Sequence, residues 1–395
     1  MKKIAFIICI LFSGSLGFGQ LAMLTDTTKQ KKKKTKPPIT VITPGASSES
    51  YSSSSLLALV RSAKNWGFID ESGTYVINPQ FDEAESFSDG YAQVKKMGQW
   101  GYIDSKGKYV INPQFDKTAD FSEKLARVLK FHKWGYIDKA GTILINPQFD
   151  DAEDFSNGLA RVKKGVSWGV IDTKGQFVIN PQFSHLGEFS EGLASAYSAK
   201  AWGFVDKAGK WVVNPQFNDV EDFDNGLARV RKGTQWGFID KSGSYIINPQ
   251  FEEVSNFSEG FAKAKKMHQW GYIDKKGTWV INPQFDNAGD FAEGLAKMRK
   301  GKDWGYIGTN GIFSINPQFD DAKDFSDGRA IVKKGTQWGV IDKTGKYLSN
   351  PQFSDIKDFD RGIAAVKKGT KWGYIDKNCK IIVNFQYDSA ENFSK

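Results

Sequence analysis

From Leu57 onward the apolar residues of this chain come in short runs, each stopped by Gly, Asn-Pro or an Asp-x-x-Gly turn. The stretch Leu227–Gly260, LARVRKGTQWGFIDKSGSYIINPQFEEVSNFSEG, is typical. It predicts strands over Leu227–Lys232, Gln235–Asp240 and Ser244–Asn248, with turns at Gly233-Thr234 and Lys241-Ser242-Gly243. A Pro-containing link (Pro249-Gln250), a short extended piece (Phe251–Phe257) and a turn at Ser258-Glu259-Gly260 complete the unit. Runs such as Trp-Gly-Tyr-Ile and Tyr-Val-Ile are apolar at successive positions. A strand with one wet face would alternate, so these strands are expected to be covered on both faces.

The same unit recurs. Ten Trp-Gly pairs, from Trp66-Gly67 to Trp372-Gly373, stand 34 residues apart without insertion or deletion. A fixed period of this size marks a modular array. Each module is too small to bury its own apolar faces and must stack on its neighbours. The expected fold is all-β, with ten tandem units of three to four strands. Two architectures cover both faces: a closed, propeller-like ring and an open, curved β-solenoid. An open stack needs polar caps, and neither end of the array resembles one, which favours the ring. In a ring, the strand missing after Lys395 is supplied by Leu56–Lys64.

Composition adds location. Met1-Lys2-Lys3 followed by the apolar run Ile4–Phe18 reads as a secretory signal over residues 1–19, cleaved near Gly19-Gln20. The run is short for an uncleaved anchor of about 20 residues. Residues 20–56, rich in Lys, Pro and Ser, are expected to form a disordered linker; residues 57–395 form the repeat domain. Eight Lys and two acids of residues 1–56 account for most of the formal charge of +9; 46 basic and 43 acidic residues remain in the array. Near-balance there argues against nucleic acid as a partner. Cys9 falls in the signal, which leaves Cys379 with no disulfide partner in the mature chain.

The repeated residues read as structure first. Trp beside Gly predicts a ladder of indoles between units, with sugar-binding platforms as the alternative. Asn-Pro-Gln-Phe, present in nine copies, is expected to end a strand at Pro. The Asp of Trp-Gly-x-x-Asp, present nine times and replaced once by Gly308, sits where Asp accepts backbone hydrogen bonds in a turn. Asp150-Asp151-Ala152-Glu153-Asp154 lacks the spacing of a calcium loop. Lysine pairs such as Lys163-Lys164 and Lys265-Lys266 are expected to alternate with acids on a solvated face. His132, His185 and His268 have no metal-ligand spacing, and no nucleophile elbow or phosphate loop occurs. No catalytic, cofactor-binding or metal residue is assigned, and no ligand-binding residue can be named. A hydrolase would require carboxylates from different units to converge in one cleft.

The Trp-Gly-[Tyr/Phe]-Ile-Asp-x-x-Gly core, with Asn-Pro-Gln-Phe and Asp-Phe-Ser-x-Gly-Leu-Ala-x-Val-Lys-Lys, resembles the WG-containing repeat family of bacteria over the whole of 57–395. The resemblance implies a bacterial, often exported β-repeat protein and carries no catalytic residues. The expected function is an exported, non-enzymatic scaffold for a protein partner, in the periplasm, on the outer surface or outside the cell. A glycan- or cell-wall-binding module using exposed aromatics such as Trp211 and Trp279 is the alternative.

Overall fold

The computed structural model describes residues 56–395; the signal expected over 1–19 and the linker up to residue 55 lie outside the described residues. Forty strands, β1 to β40, form ten four-stranded antiparallel sheets. The chain is a ten-bladed β-propeller, the closed alternative of the two.

One blade explains all. It contains β4 (Glu83–Ala84), β5 (Tyr91–Lys96), β6 (Gln99–Asp104) and β7 (Tyr109–Phe115), hydrogen-bonded in that order. The two-residue β4 is one edge and β7 the other. Asp89-Gly90 turns the chain into β5 with φ of 50° and 82°, the left-handed pair that a tight hairpin needs. The sequence unit and the blade are out of phase, because β4 follows the preceding unit's last strand, β3 (Tyr75–Phe81), after a single residue. Each blade therefore takes its first strand from one unit and three from the next.

That offset closes the ring. The first blade has β1 (Leu57–Ser62), β2 (Asn65–Ile69) and β3 but no first strand of its own; β40 (Ser389–Ser394) supplies it. Ala58 pairs with Phe393 and Val60 with Ala390. The joint copies an internal one: Asp388 accepts a hydrogen bond from Ala63 N at 2.8 Å, as Asp82 does from Met97 N at 2.9 Å.

The core lies between blades. One buried cluster joins Leu57, Leu59, Phe68, Ile77 and Phe81 of the first blade to Ala84, Phe87, Ala92, Val94 and Ile103 of the second. Ten such clusters run round the ring, and the tenth joins Tyr374, Val383 and Tyr387 to Ala58, Val60 and Phe393. Two-sided burial of β5 and β6 is as the apolar runs predict. At eight of the ten junctions an aromatic residue two after the Trp meets a Phe of the next blade, Val170 and Val340 being the exceptions; the Tyr102 and Phe121 ring centroids are 4.9 Å apart. Where that residue is Tyr, its hydroxyl donates to a backbone carbonyl of the next blade, as in Tyr102 to Ala119 O at 2.7 Å and Tyr374 to Glu391 O at 2.7 Å. Buried phenols need such partners.

The fourth strand corrects two expectations. Its pattern alternates, with Val76, Asn78 and Gln80 exposed and Ile77 and Phe81 buried, so only one face is covered. Nor does the strand end at Pro: the predicted Ser244–Asn248 is observed as Tyr245–Phe251, and the extended piece Phe251–Phe257 contributes the two-residue strand Glu253–Val254. The reason is a bulge. In β7, Asn112-Pro113-Gln114 stands opposite Gly101 alone, between the pairs Tyr102–Ile111 and Trp100–Phe115. An edge strand tolerates Pro where a bulge removes the need for its N–H. The bulge also explains the Gly of Trp-Gly: a Cβ at Gly101 would lie 2.4 Å from Ile111 O and 2.6 Å from Pro113 N.

A second glycine, that of the Asp-x-x-Gly turn, packs on the preceding blade. A Cβ at Gly107 would lie 3.2 Å from Ile77, and at Gly345 3.2 Å from Ile315. By the same register Cys379 faces Ser349. The one copy with a side chain in the turn thus meets the one copy in which the apolar partner has shrunk to Ser.

Two measurements test this account. Phe393→Ala should cost about 3–5 kcal/mol in urea denaturation, as much as Phe121→Ala inside the array; a near-zero cost would mean that the ring is open. Ser349→Ile should overpack its junction by about 1–3 kcal/mol, and Cys379→Gly in the same chain should recover most of that loss. Additive effects would rule out the pairing.

Candidate interaction surface

The side chains singled out in the sequence mostly serve the blades. The indoles form no ladder between units. Nine of the ten are only half-buried, the exception being Trp372 at 8% exposure. They lie at the rims of the inter-blade clusters beneath cations of the neighbouring strand, for example Lys95 Nζ at 5.8 Å and Arg127 at 5.3 Å from the Trp100 and Trp134 rings. Trp202 instead stacks with Tyr197, centroids 5.2 Å apart, and with His185 at 5.8 Å. A cation beside an indole keeps its charge hydrated while covering the ring, which an apolar ladder would not allow at an exposed rim.

Trp211 and Trp279 are not free platforms either. Each meets edge-on the Phe that ends the preceding fourth strand, Phe183 and Phe251 respectively, at 5.6 Å. Tyr109 meets Phe81 at 6.3 Å in the same way. The position therefore belongs to the blade junction whatever ring fills it.

The turn aspartates do what their spacing suggests. Asp70 Oδ1 accepts bonds from Ser72 N at 2.9 Å, Thr74 N at 3.0 Å and Ser72 Oγ at 2.6 Å. The Ser72 hydroxyl is the main reason that this carboxyl sits below the usual range; Ser242 and Thr344 do the same for Asp240 and Asp342. In the copy with Gly308, Asn310 Oδ1 takes over part of the role by accepting from Ile312 N at 3.0 Å.

Charges pair between the first and second strands within a blade. Lys95 pairs with Glu83 at 2.8 Å and Lys265 with Glu253 at 2.7 Å. Asp150 accepts from Gly165 N at 2.7 Å. Among the described residues no group of three or more His, Cys, Asp or Glu is placed to hold a metal ion. His132 and His268 sit in hairpin turns with positive φ, and His185 meets Tyr197 edge-on; the three do not converge.

Carboxylates of successive units do share one space. Glu85, Asp120 and Asp154 line a cavity of about 410 Å³. Burial raises Glu85, with Asp120 adding repulsion, and burial raises Asp154 against the pull of Arg127. Yet Asp120 accepts from Gln93 Nε2 at 2.7 Å, and Arg127 Nε stands 2.9 Å from Asp154 Oδ1. Two of the three thus also hold neighbouring blades together, while the convergence of carboxylates that a hydrolase would require is met in this cleft.

Beside isolated exposed residues at turns, such as Met97, Phe131, Val166 and Met267, the fourth-strand edge is exposed in every blade as a repeated surface. None of the ten fourth strands carries a charged residue. Val76, Val110, Leu144, Val178, Val212, Ile246, Val280 and Leu348 recur there at 38–52% exposure, each followed by the exposed amides of the Asn-x-Gln pair. Lysines border the band, where Lys232 and Lys334 bond the carbonyls of Gln216 and Gln318 at 2.7 and 2.6 Å. The result is a repeated apolar and amide surface on an otherwise charged protein. The sequence carried its signal, outward-facing Val beside inward-facing Ile, but the successive apolar residues hid the alternation.

The WG containing repeat profile matches ten consecutive segments, from residues 66–99 to 372–395. The chain belongs to the WG containing repeat family. No curated protein matches this WG-repeat chain in sequence. Among solved structures, a eukaryotic initiation factor aligns over 87% of this chain and 98% of its own, at 10% identity and a TM-score of 0.52; that likeness concerns the fold alone. Hsv2p of Kluyveromyces lactis (9% identity, 61% and 98% coverage, TM-score 0.35) and the dihydro-heme d1 dehydrogenase NirN (11%, 86% and 75%, 0.36) align more loosely and carry no argument. Among the described residues no helix is long and apolar enough to cross a membrane.

Since Trp211 is packed, Trp211→Ala should lower stability by roughly 1–3 kcal/mol, read as a shift of the urea midpoint. An unchanged midpoint would restore the view of this ring as a free platform.

Proposed function

We propose that this WG-repeat propeller is an exported, non-enzymatic scaffold that docks a protein partner on its uncharged fourth-strand band. The observation that carries the reading is the band itself. Charges are scarce at the centre of protein interfaces, and repeated exposed apolar residues mark interaction surfaces. Ten equivalent copies favour a broad, multi-point contact over a single pocket. Support for export comes from Met1-Lys2-Lys3 and the apolar run Ile4–Phe18. The glycan reading took Trp211 and Trp279 as examples of exposed aromatics, and both rings are engaged at blade junctions.

The test combines Val178→Lys, Val212→Lys, Ile246→Lys and Val280→Lys in the intact chain. Each surface change should alter stability by no more than about 0.5 kcal/mol. Proteins retained from a cell-envelope extract by the unaltered chain should be lost by the variant. Equal retention by both would clear the band of any role, and no retention by either would end the scaffold reading. Mass spectrometry of the secreted or periplasmic chain should find a new N-terminus near Gln20.

A further inference from the structure

The ninth blade breaks the repeat within three residues. Nine copies begin the second strand on Leu, Tyr, Phe or Ile, and five of these place Arg or Lys two residues later; the ninth reads Arg329-Ala330-Ile331. Positions two apart on a strand share a face, so the cation has moved one step along that face and an apolar side chain has taken its place.

The exchange leaves a charge unanswered. In other blades the third residue reaches the acid or amide 27 positions on: Arg127 Nε to Asp154 at 2.9 Å, Arg229 Nε to Asn256 at 2.7 Å, Lys297 Nζ to Asp324 at 3.6 Å. Ile331 cannot, and the corresponding Asp358 pairs with Lys323 at 2.9 Å. The Arg329 guanidinium lies 5.0 Å from the Phe359 ring, where other junctions place Tyr91 on Phe121 or Phe261 on Phe291. Its Nε and Nη1 are shielded from solvent and bonded to nothing among the described residues, and no other described arginine has two such nitrogens. Two guanidinium nitrogens shielded from solvent and without an acceptor are costly.

A space lies beside the exchanged pair. Arg329, Ile331, Phe325, Phe359 and Lys323 line a cavity of about 390 Å³, within the range of small-molecule sites. Its charged lining, Lys297, Lys323 and Arg329 against Asp324 and Asp358, has one positive charge in excess.

We propose that this cavity binds a carboxylate, with Arg329 as its counter-ion and Phe325, Ile331 and Phe359 covering the apolar body. The carboxylate belongs either to a free organic acid or to an acidic side chain of a protein. Guanidinium suits it because a charge-assisted hydrogen bond in a partly shielded site is stronger than a neutral one.

Titration calorimetry on the full chain tests this with benzoate, its neutral analogue benzamide, and the blocked peptide acetyl-Ala-Glu-Ala-amide. Saturable one-to-one binding of benzoate identifies a free acid, and binding of the peptide alone identifies a side chain. In either case Arg329→Leu, which restores the residue most copies carry, should weaken binding roughly tenfold or more while the chain still unfolds cooperatively. Ile331→Arg, which fills the space and regains Asp358, should do the same. The nitrogen-15 resonance of Arg329 Nε should move with saturation in the unaltered chain. Benzamide binding as well as benzoate, unchanged affinity in Arg329→Leu, or no binding of either acid would overturn the proposal.

Discussion

Each blade presses the apolar faces of its second and third strands against both neighbours, and the rest of the structure follows from that contact. A Phe, Tyr or Val two residues after each Trp is buried completely against the next blade, and where it is Tyr its hydroxyl is satisfied by the next blade's backbone. No blade owns a core; each core belongs to a junction. A structure whose stability resides in junctions loses a full core wherever it ends. Handing the last strand, β40, to the first blade removes that loss, and it uses the same kind of strand pairing and aromatic contact as most internal joints.

The junctions also explain which residues are free to vary. The Gly of Trp-Gly is held by the bulge that crosses it, since its missing Cβ would strike backbone that cannot move. The turn glycine faces only a side chain, and there the chain has changed, with Cys379 set against a smaller Ser349. The turn aspartate is a local device, and its loss at Gly308 is met locally by Asn310. Tolerance thus follows the stiffness of what each residue touches, not its frequency in the repeat.

Function is left to what the junctions do not consume. The indoles, the turn aspartates and most of the charged pairs hold blades together or cover their rims. The fourth-strand band is an uncharged surface with no such task. The Arg329 cavity is the complement of this, a single irregularity in a ring of equivalent positions. The broad contact proposed for one and the carboxylate proposed for the other do not depend on each other.

The sequence alone determined the all-β class, the ten units, their mutual dependence and the turn chemistry of Asp70 and its equivalents. These are local or periodic properties, and a strict 34-residue register exposes them. The tertiary structure decided the path through Asn-Pro-Gln-Phe, the half-exposed setting of the indoles, the engagement of Trp211 and Trp279, and the proximity of Arg329 to Phe359. Those depend on which side chain of one blade meets which side chain of the next. A repeat in sequence states that neighbours touch, but their offset and facing are set only when the blades are pressed together and the ring is closed.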